Sequence, residues 1–167
     1  MSEPDAPGKH DLARLSQQII DLIFRREFEH AARLIETARQ KLSAGEAHRL
    51  TALSAVLRKQ SGDLHGSIQL MRQANQEAPG WLPNLYRLSV FLMDAQLWSE
   101  ADVVLDELIS LSELNGDAYF IDEARFRKIL CLKRLGRVDE IELEKGKIAT
   151  GTEVFIEERL YRLDDLD

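Results

Sequence analysis

Apolar residues recur every three or four positions along most of the chain, which is the spacing of one face of an α-helix. The first series is Leu12, Leu15, Ile19 and Leu22, and the second is Phe28, Ala31, Ile35, Ala38 and Leu42. Similar series continue almost to the end and predict helices at 11–25, 28–43, 46–61, 64–78, 82–96, 98–112, 118–135 and 138–146. The pattern therefore predicts an all-α fold.

The helical series also repeat with a regular period. Gly62, Leu64, Ser67 and Met71 align with Gln96, Trp98, Ala101 and Leu105, each 34 residues later. The same turn recurs upstream, where Phe28 takes the place of Leu64, and downstream, where Gly136 takes the place of Gly62. We expect the small residues Ala31, Ser67 and Ala101 to lie where paired helices cross, because small side chains allow close approach.

This repeat resembles the tetratricopeptide repeat (TPR) family, a stack of antiparallel helix pairs with a 34-residue unit. The resemblance rests on the turn Gly62–Asp63, the apolar residue after it, the small residue one turn later, and Pro79 at the end of the unit. It covers roughly residues 11–145, in about three and a half degenerate repeats. It implies a right-handed superhelix in which the first helix of each pair lines a concave groove. Ile141 departs from the family pattern, since it stands where a small residue belongs.

The C-terminal sequence GTEVFIEERLYRLDDLD (151–167) does not follow the repeat. Two β-prone runs, TEVFI and RLYRL, flank Glu157–Glu158 and predict a short β-hairpin; a helix with Ile156, Leu160 and Leu163 on one face is the alternative. We therefore expect a flexible tail at 1–10, a repeat domain at 11–146 and a C-terminal capping segment at 147–167. The segment could cover the last helix pair, or Phe155, Ile156 and Tyr161 could reach the groove or a partner.

Composition and charge exclude several classes of protein. The formal net charge of −7 argues against a nucleic-acid partner, because such binding relies on cationic side chains. No stretch approaches ~18 consecutive apolar residues, so no membrane span is expected. The start of the sequence resembles neither a secretory signal nor a transit peptide. A single cysteine, Cys131 within the apolar run ILCL, favours a core thiol and a reducing, cytoplasmic location.

Few residues offer catalytic chemistry. The sequence contains no phosphate-binding glycine loop, no nucleophile elbow and no zinc-protease motif. The pair Glu27 and His30 has a metal-ligand spacing but lacks the further carboxylates that such a site needs. We therefore predict no catalytic residue, no metal and no cofactor. The basic run RFRKILCLKRLGR (125–137) precedes an acidic segment, which favours internal charge pairing or a solvated face over an acidic partner.

The TPR resemblance implies a groove for another protein or peptide. The predicted groove residues are Arg49, Ala52, Val56, Lys59, Tyr86, Arg87, Val90, Met93, Phe126, Leu130 and Lys133. An apolar centre with a basic rim favours an extended or helical apolar segment as the ligand. Equally, these residues could simply pack neighbouring helices.

Two classes of function fit a small acidic repeat protein without catalytic motifs. The first is a non-catalytic interaction module, an adaptor or chaperone-like protein. The alternative is a dedicated inhibitor of the immunity type that neutralises one toxin or enzyme. The first helix is apolar on more than one face, so it could pack under the second helix or form a homodimer surface.

Overall fold

The computed structural model describes residues 9–41, 44–149, 151–156, 159–162 and 165. The helices are α1 (Lys9–Phe24), α2 (Phe28–Arg39), α3 (Ala47–Gln60), α4 (Leu64–Glu77), α5 (Leu82–Asp94), α6 (Trp98–Asn115), α7 (Ala118–Leu135) and α8 (Val138–Lys145). A 3-10 turn at Ala44–Glu46 leads into α3, and the strands are β1 (Glu153–Ile156) and β2 (Arg159–Arg162). The predicted helical fold with a C-terminal hairpin is confirmed. None of these described helices has the length and apolar character needed to cross a membrane.

The C-terminal ends of α2 and α6 differ most from the predicted bounds. The prediction ended α6 at 112, but the helix continues to Asn115, where Gly116 adopts a left-handed φ of 66°. The amide of Asp117 donates to the carbonyl of Ser112 over this cap, at 2.9 Å. Helix α2 ends at Arg39 rather than at 43, and Leu42 and Ser43 lie outside the described residues.

The turn inside each helix pair has the same backbone geometry in all four repeats. Arg26, Gly62, Gln96 and Gly136 occupy the same place in the turn, with φ of 62°, 95°, 58° and 71°. In each turn the next amide donates to the carbonyl five residues back, as from Asp63 to Arg58 at 2.8 Å. The repeat register predicted from the sequence is therefore present in the backbone.

Residues Met1–Ala78 form an N-terminal unit that contains α1 to α4. Its buried apolar cluster comprises Ile19, Ile23, Ala31, Ile35, Ala38, Leu50 and Leu53. The half-buried Leu15, Ile20 and Leu22 of α1 pack against the same cluster. Most of the apolar residues of α1 therefore pack within this unit, although Phe24 at its end is 74% exposed.

Residues Pro79–Asp167 form a C-terminal unit that contains α5 to α8 and the hairpin. Its buried cluster joins α7, α8 and β1 through Phe126, Ile129, Leu132, Ile141, Ile148, Val154 and Ile156. Ile141, the departure from the family pattern, thus belongs to this core.

The hairpin has one buried face and one exposed face. The two strands are antiparallel, with Val154 opposite Tyr161 and Phe155 opposite Leu160. Val154 and Ile156 are buried, whereas Phe155 and Leu160 are exposed. The alternative of a C-terminal helix is therefore excluded for these residues, while Glu157 and Glu158 lie outside the described part of the chain. The docked strand explains how a short hairpin, which is barely stable alone, is held in place.

Candidate interaction surface

The predicted groove residues fall in both units. In the N-terminal unit, Arg49, Val56 and Lys59 of α3 are half-buried. Val56 packs against the buried cluster of that unit. Ala52 is only 1% exposed, so it belongs to the core and has no surface to offer a partner.

In the C-terminal unit, α5 presents Tyr86, Arg87 and Val90 as half-exposed residues. Met93, one turn further on, is largely buried but still lines a pocket. Burial lowers the pKa of the Arg87 guanidinium. These residues therefore give α5 a partly accessible side.

One of the three predicted groove residues of α7 lies in the core. Phe126 is fully buried in the cluster formed with α8 and β1, so it is a core residue and not part of a groove. Lys133 is exposed, and Leu130 is half-buried. Phe126 shares its buried cluster with Val154 and Ile156 of the hairpin, which packs on α7, whereas Leu130 and Lys133 keep accessible surface.

The contact between α5 and α7 is polar at one end. The hydroxyl of Tyr86 donates to Glu123 Oε1 at 2.5 Å, and Arg127 Nη2 donates to the same carboxylate oxygen at 3.0 Å. The Arg127 guanidinium also lies 5.4 Å from the centre of the Tyr86 ring. Burial and the hydrogen bond to Glu123 raise the pKa of Tyr86. The repeat alignment assigns Glu123 to the groove side of α7 but not Arg127, although the i, i+4 spacing of the two residues is that of a helical ion pair.

A pocket of about 390 Å³ lies at the other end of this surface. Its walls come from the end of α5, the start of α6, the last turns of α7, and β2; the lining residues are Met93, Asp94, Gln96, Trp98, Leu130, Arg134 and Tyr161. The Arg134 guanidinium lies over the Trp98 ring, 5.6 Å from its centre. The hairpin thus contributes Tyr161 to a pocket that two predicted groove residues also line, whereas Phe155 points to solvent and Ile156 into the core.

Several basic residues of α7 form ion pairs with carboxylates of the same chain. Arg125 is ion-paired with Glu113 of α6 and lies 3.7 Å from Glu144 of α8. Lys128 is ion-paired with Asp106 of α6 and lies 3.5 Å from the same Glu144. The predicted internal charge pairing is confirmed for these residues, and it joins three helices of the C-terminal unit.

Several solved structures have a similar fold. A putative kinesin light chain from Podosopora anserina with nearly identical TPR-like repeats has a TM-score of 0.68 at 12% identity, and the match covers 86% of this chain and 75% of that chain. A mutant of MamA has a TM-score of 0.57 at 19% identity, with 80% of this chain and 73% of that chain covered. MamA MSR-1 C2 has a TM-score of 0.58 at 18% identity, covering 80% and 72%. The fold is TPR-like.

At these identities the similarity shows the TPR-like fold alone. No protein-family model matches the sequence, and no curated protein matches it.

This TPR-like chain has little in its described part that could perform chemistry. No group of three or more His, Cys, Asp or Glu side chains in that part could hold a metal ion. His30 Nδ1 lies 3.5 Å from Glu27, but both side chains are about half exposed. Burial raises the pKa of the Cys131 thiol to about 12, so the thiol stays protonated at neutral pH and is a poor nucleophile.

Proposed function

We propose that the chain is a non-catalytic protein-interaction module of the adaptor type. It would hold a segment of a partner protein on the surface formed by α5, α7 and β2 of the C-terminal unit. The TPR-like fold supports the proposal, because stacked helix pairs present long side-chain surfaces that suit binding to another chain. The internal pairing of the α7 cations supports a protein ligand over nucleic acid.

The observation that carries the proposal is the pocket between Met93, Leu130 and Tyr161. It combines apolar and aromatic walls with two charged groups of opposite sign, Asp94 and Arg134. Pockets of this kind take an apolar side chain and fix its orientation with a few polar contacts. The half-exposed Val90 continues the apolar surface along α5. An extended or helical segment with one apolar anchor would suit this arrangement.

Partner identification followed by titration tests the proposal. The chain would be co-purified from its native host, and the affinity of each identified partner would then be measured by calorimetry. We expect Val90→Lys and Tyr161→Ala each to weaken binding about tenfold, which corresponds to ~1.4 kcal/mol. Val103→Lys is the matched control, because Val103 lies on α6 and is 67% exposed. Equal weakening by Val103→Lys, or no effect of the other two variants, would reject this surface.

The same experiment separates an adaptor from a dedicated inhibitor. Several partners that share a binding segment would support the adaptor. One partner, bound far more tightly and losing its own activity in the complex, would support the inhibitor.

We also propose a cytoplasmic location, since the buried Cys131 is reduced and is the one cysteine in the sequence. Homodimer formation stays a prediction.

A further inference from the structure

The turn between α1 and α2 carries a group of features that the proposed function does not use. Arg25 and Arg26 lie in this turn, Arg33 follows in α2, and all three side chains are exposed. Pockets of about 380 Å³ and 490 Å³ flank the turn. His30 lines both pockets, Arg25 lines the first, and Arg26 and Arg33 line the second.

The three arginines have no ion pair within the described part of the chain. Carboxylates are close by, but Asp21 accepts a hydrogen bond from Gln17 at 2.9 Å, and Glu27 pairs with His30 at 3.5 Å. In the C-terminal unit, by contrast, an arginine such as Arg137 is ion-paired with two carboxylates, Asp102 and Glu140. Three guanidinium groups without an ion-pair partner on this turn leave donors that can pair with the separate carboxylates of an anionic partner.

The backbone of Arg26 supplies an independent observation. Arg26 has a φ of 62°, at a position where two of the other three turns have the glycines Gly62 and Gly136. A left-handed conformation is strained for residues with a side chain, and such strain is concentrated at functional sites. The other non-glycine residue at this position, Gln96, lines the pocket of the C-terminal unit. A side chain at this position of the turn therefore adjoins a pocket in both cases.

An exposed aromatic residue completes the surface. Phe24, directly before the two arginines, is 74% exposed at the end of α1. We propose that the α1–α2 turn is a second interaction surface, which binds an acidic protein segment that carries an apolar side chain. The carboxylates of the segment would pair with Arg25, Arg26 and Arg33, and its apolar side chain would pack on Phe24.

The lining of the second pocket favours a peptide over a nucleic acid. Glu27 and Glu29 lie among its lining residues, beside Arg26 and Arg33. A continuous phosphate backbone would meet these carboxylates and be repelled, whereas a peptide can place its carboxylates at separate positions. The alternation of charge along the turn therefore suits a ligand with spaced acidic groups.

The test uses the full chain and a fluorescein-labelled peptide of sequence Glu-Asp-Leu-Glu-Asp-Leu-Glu-Asp, with binding measured by fluorescence anisotropy. We expect the double variant Arg26→Gln/Arg33→Gln to weaken binding by about tenfold or more, and Phe24→Ser to weaken it several-fold. Arg14→Gln is the matched control, because Arg14 is an exposed arginine near the other end of α1. A peptide with Gln and Asn in place of Glu and Asp should not bind.

Arg26→Gly separates binding from folding. Because glycine relieves the strained φ, this variant should keep or raise the melting temperature while it weakens peptide binding. No binding of the acidic peptide, equal weakening by Arg14→Gln, or complete competition by a single-stranded oligonucleotide would each overturn the proposal. The last outcome would assign the turn to nucleic acid instead.

Discussion

Lys128 and Glu144 join α7 to α8 through an ion pair of 3.5 Å between side chains that are 10% and 7% exposed. Arg125 lies 3.7 Å from the same carboxylate, and Lys147 donates a hydrogen bond to it at 2.7 Å. Burial alone would oppose ionisation of Glu144. The hydrogen bond from Lys147 and the charges of Lys128, Lys147 and Arg125 outweigh it, so the pKa of the Glu144 carboxyl lies below its usual 4.5.

The first prediction concerns this carboxylate. Glu144→Gln should lower the free energy of unfolding by about 3 kcal/mol at pH 7, because it leaves buried cations with fewer counter-charges. Glu142→Gln is the matched control on the same helix, since Glu142 is 76% exposed in its pair with Lys145. That variant should cost less than ~0.5 kcal/mol in urea denaturation.

The pH dependence of this effect follows from the sign of the pKa shift. A carboxyl group whose pKa is lower in the folded protein stabilises the fold above its unfolded pKa, and this contribution is lost as the pH falls through the folded value. The difference in unfolding free energy between the native protein and Glu144→Gln should therefore shrink as the pH falls below 4.5. A difference that stays constant from pH 7 to pH 3 would contradict an ionised Glu144.

The second prediction concerns the turn position that is left-handed in every helix pair. Gln96→Gly should stabilise the protein by roughly 0.5 kcal/mol, because relief of the φ of 58° exceeds the added freedom of the unfolded chain. Gly62→Ala should destabilise it by about 1 kcal/mol, because the new side chain would be strained at the left-handed φ of this position. Thermal unfolding followed by circular dichroism measures both; a lower melting temperature for Gln96→Gly would contradict the argument.

The third prediction concerns the two faces of β1. Ile156→Ala should cost about 2–5 kcal/mol, since Ile156 is 2% exposed in the cluster with α7 and α8. Its neighbour Phe155 is 64% exposed, so Phe155→Ala should cost less than ~0.5 kcal/mol. Denaturant titration of both variants measures the difference. Equal costs would mean that the hairpin does not pack on α7 in solution.

The fourth prediction concerns Cys131. Burial, with a smaller contribution from the charge of Asp102, raises the pKa of its thiol to about 12. The native protein should therefore react with a disulfide reagent such as DTNB at pH 8 far more slowly than the protein unfolded in urea. Rapid stoichiometric labelling without denaturant would show that the thiol is accessible.

Much of the fold could be predicted from sequence, because the signals involved are local. The spacing of Phe28, Ala31 and Ile35 is enough to predict a helix with one buried face. Gly62 and Gly136 mark the turns, and the alignment of Gly62 with Gln96 predicted a third turn that contains no glycine. The helical and β-prone interpretations of the C-terminal segment could not be separated, because Val154 and Ile156 gain their stabilisation from α7, which is distant in sequence.

The candidate site was less predictable than the fold. Tyr86 and Val90 are half-exposed on α5. The repeat alignment placed Phe126 on a surface, although it is buried, and left Arg127 out of that surface. Helix α7 has apolar and charged residues on every side, so its periodicity does not define one outer face. Which of its sides is buried depends on the residues of other helices and of the hairpin that pack against it.

The sequence by itself thus determined the helices and the four turns, since each depends on neighbours within a few residues. Only the tertiary structure decided which side of α7 is buried. Arg125 and Lys128 are buried because Glu113, Asp106 and Glu144 come to them from α6 and α8. Phe126 is buried because Val154 and Ile156 of the hairpin belong to the same core. Burial of a charged or ambiguous helix face is stable only when partners from elsewhere in the chain compensate it, and no local pattern encodes those partners.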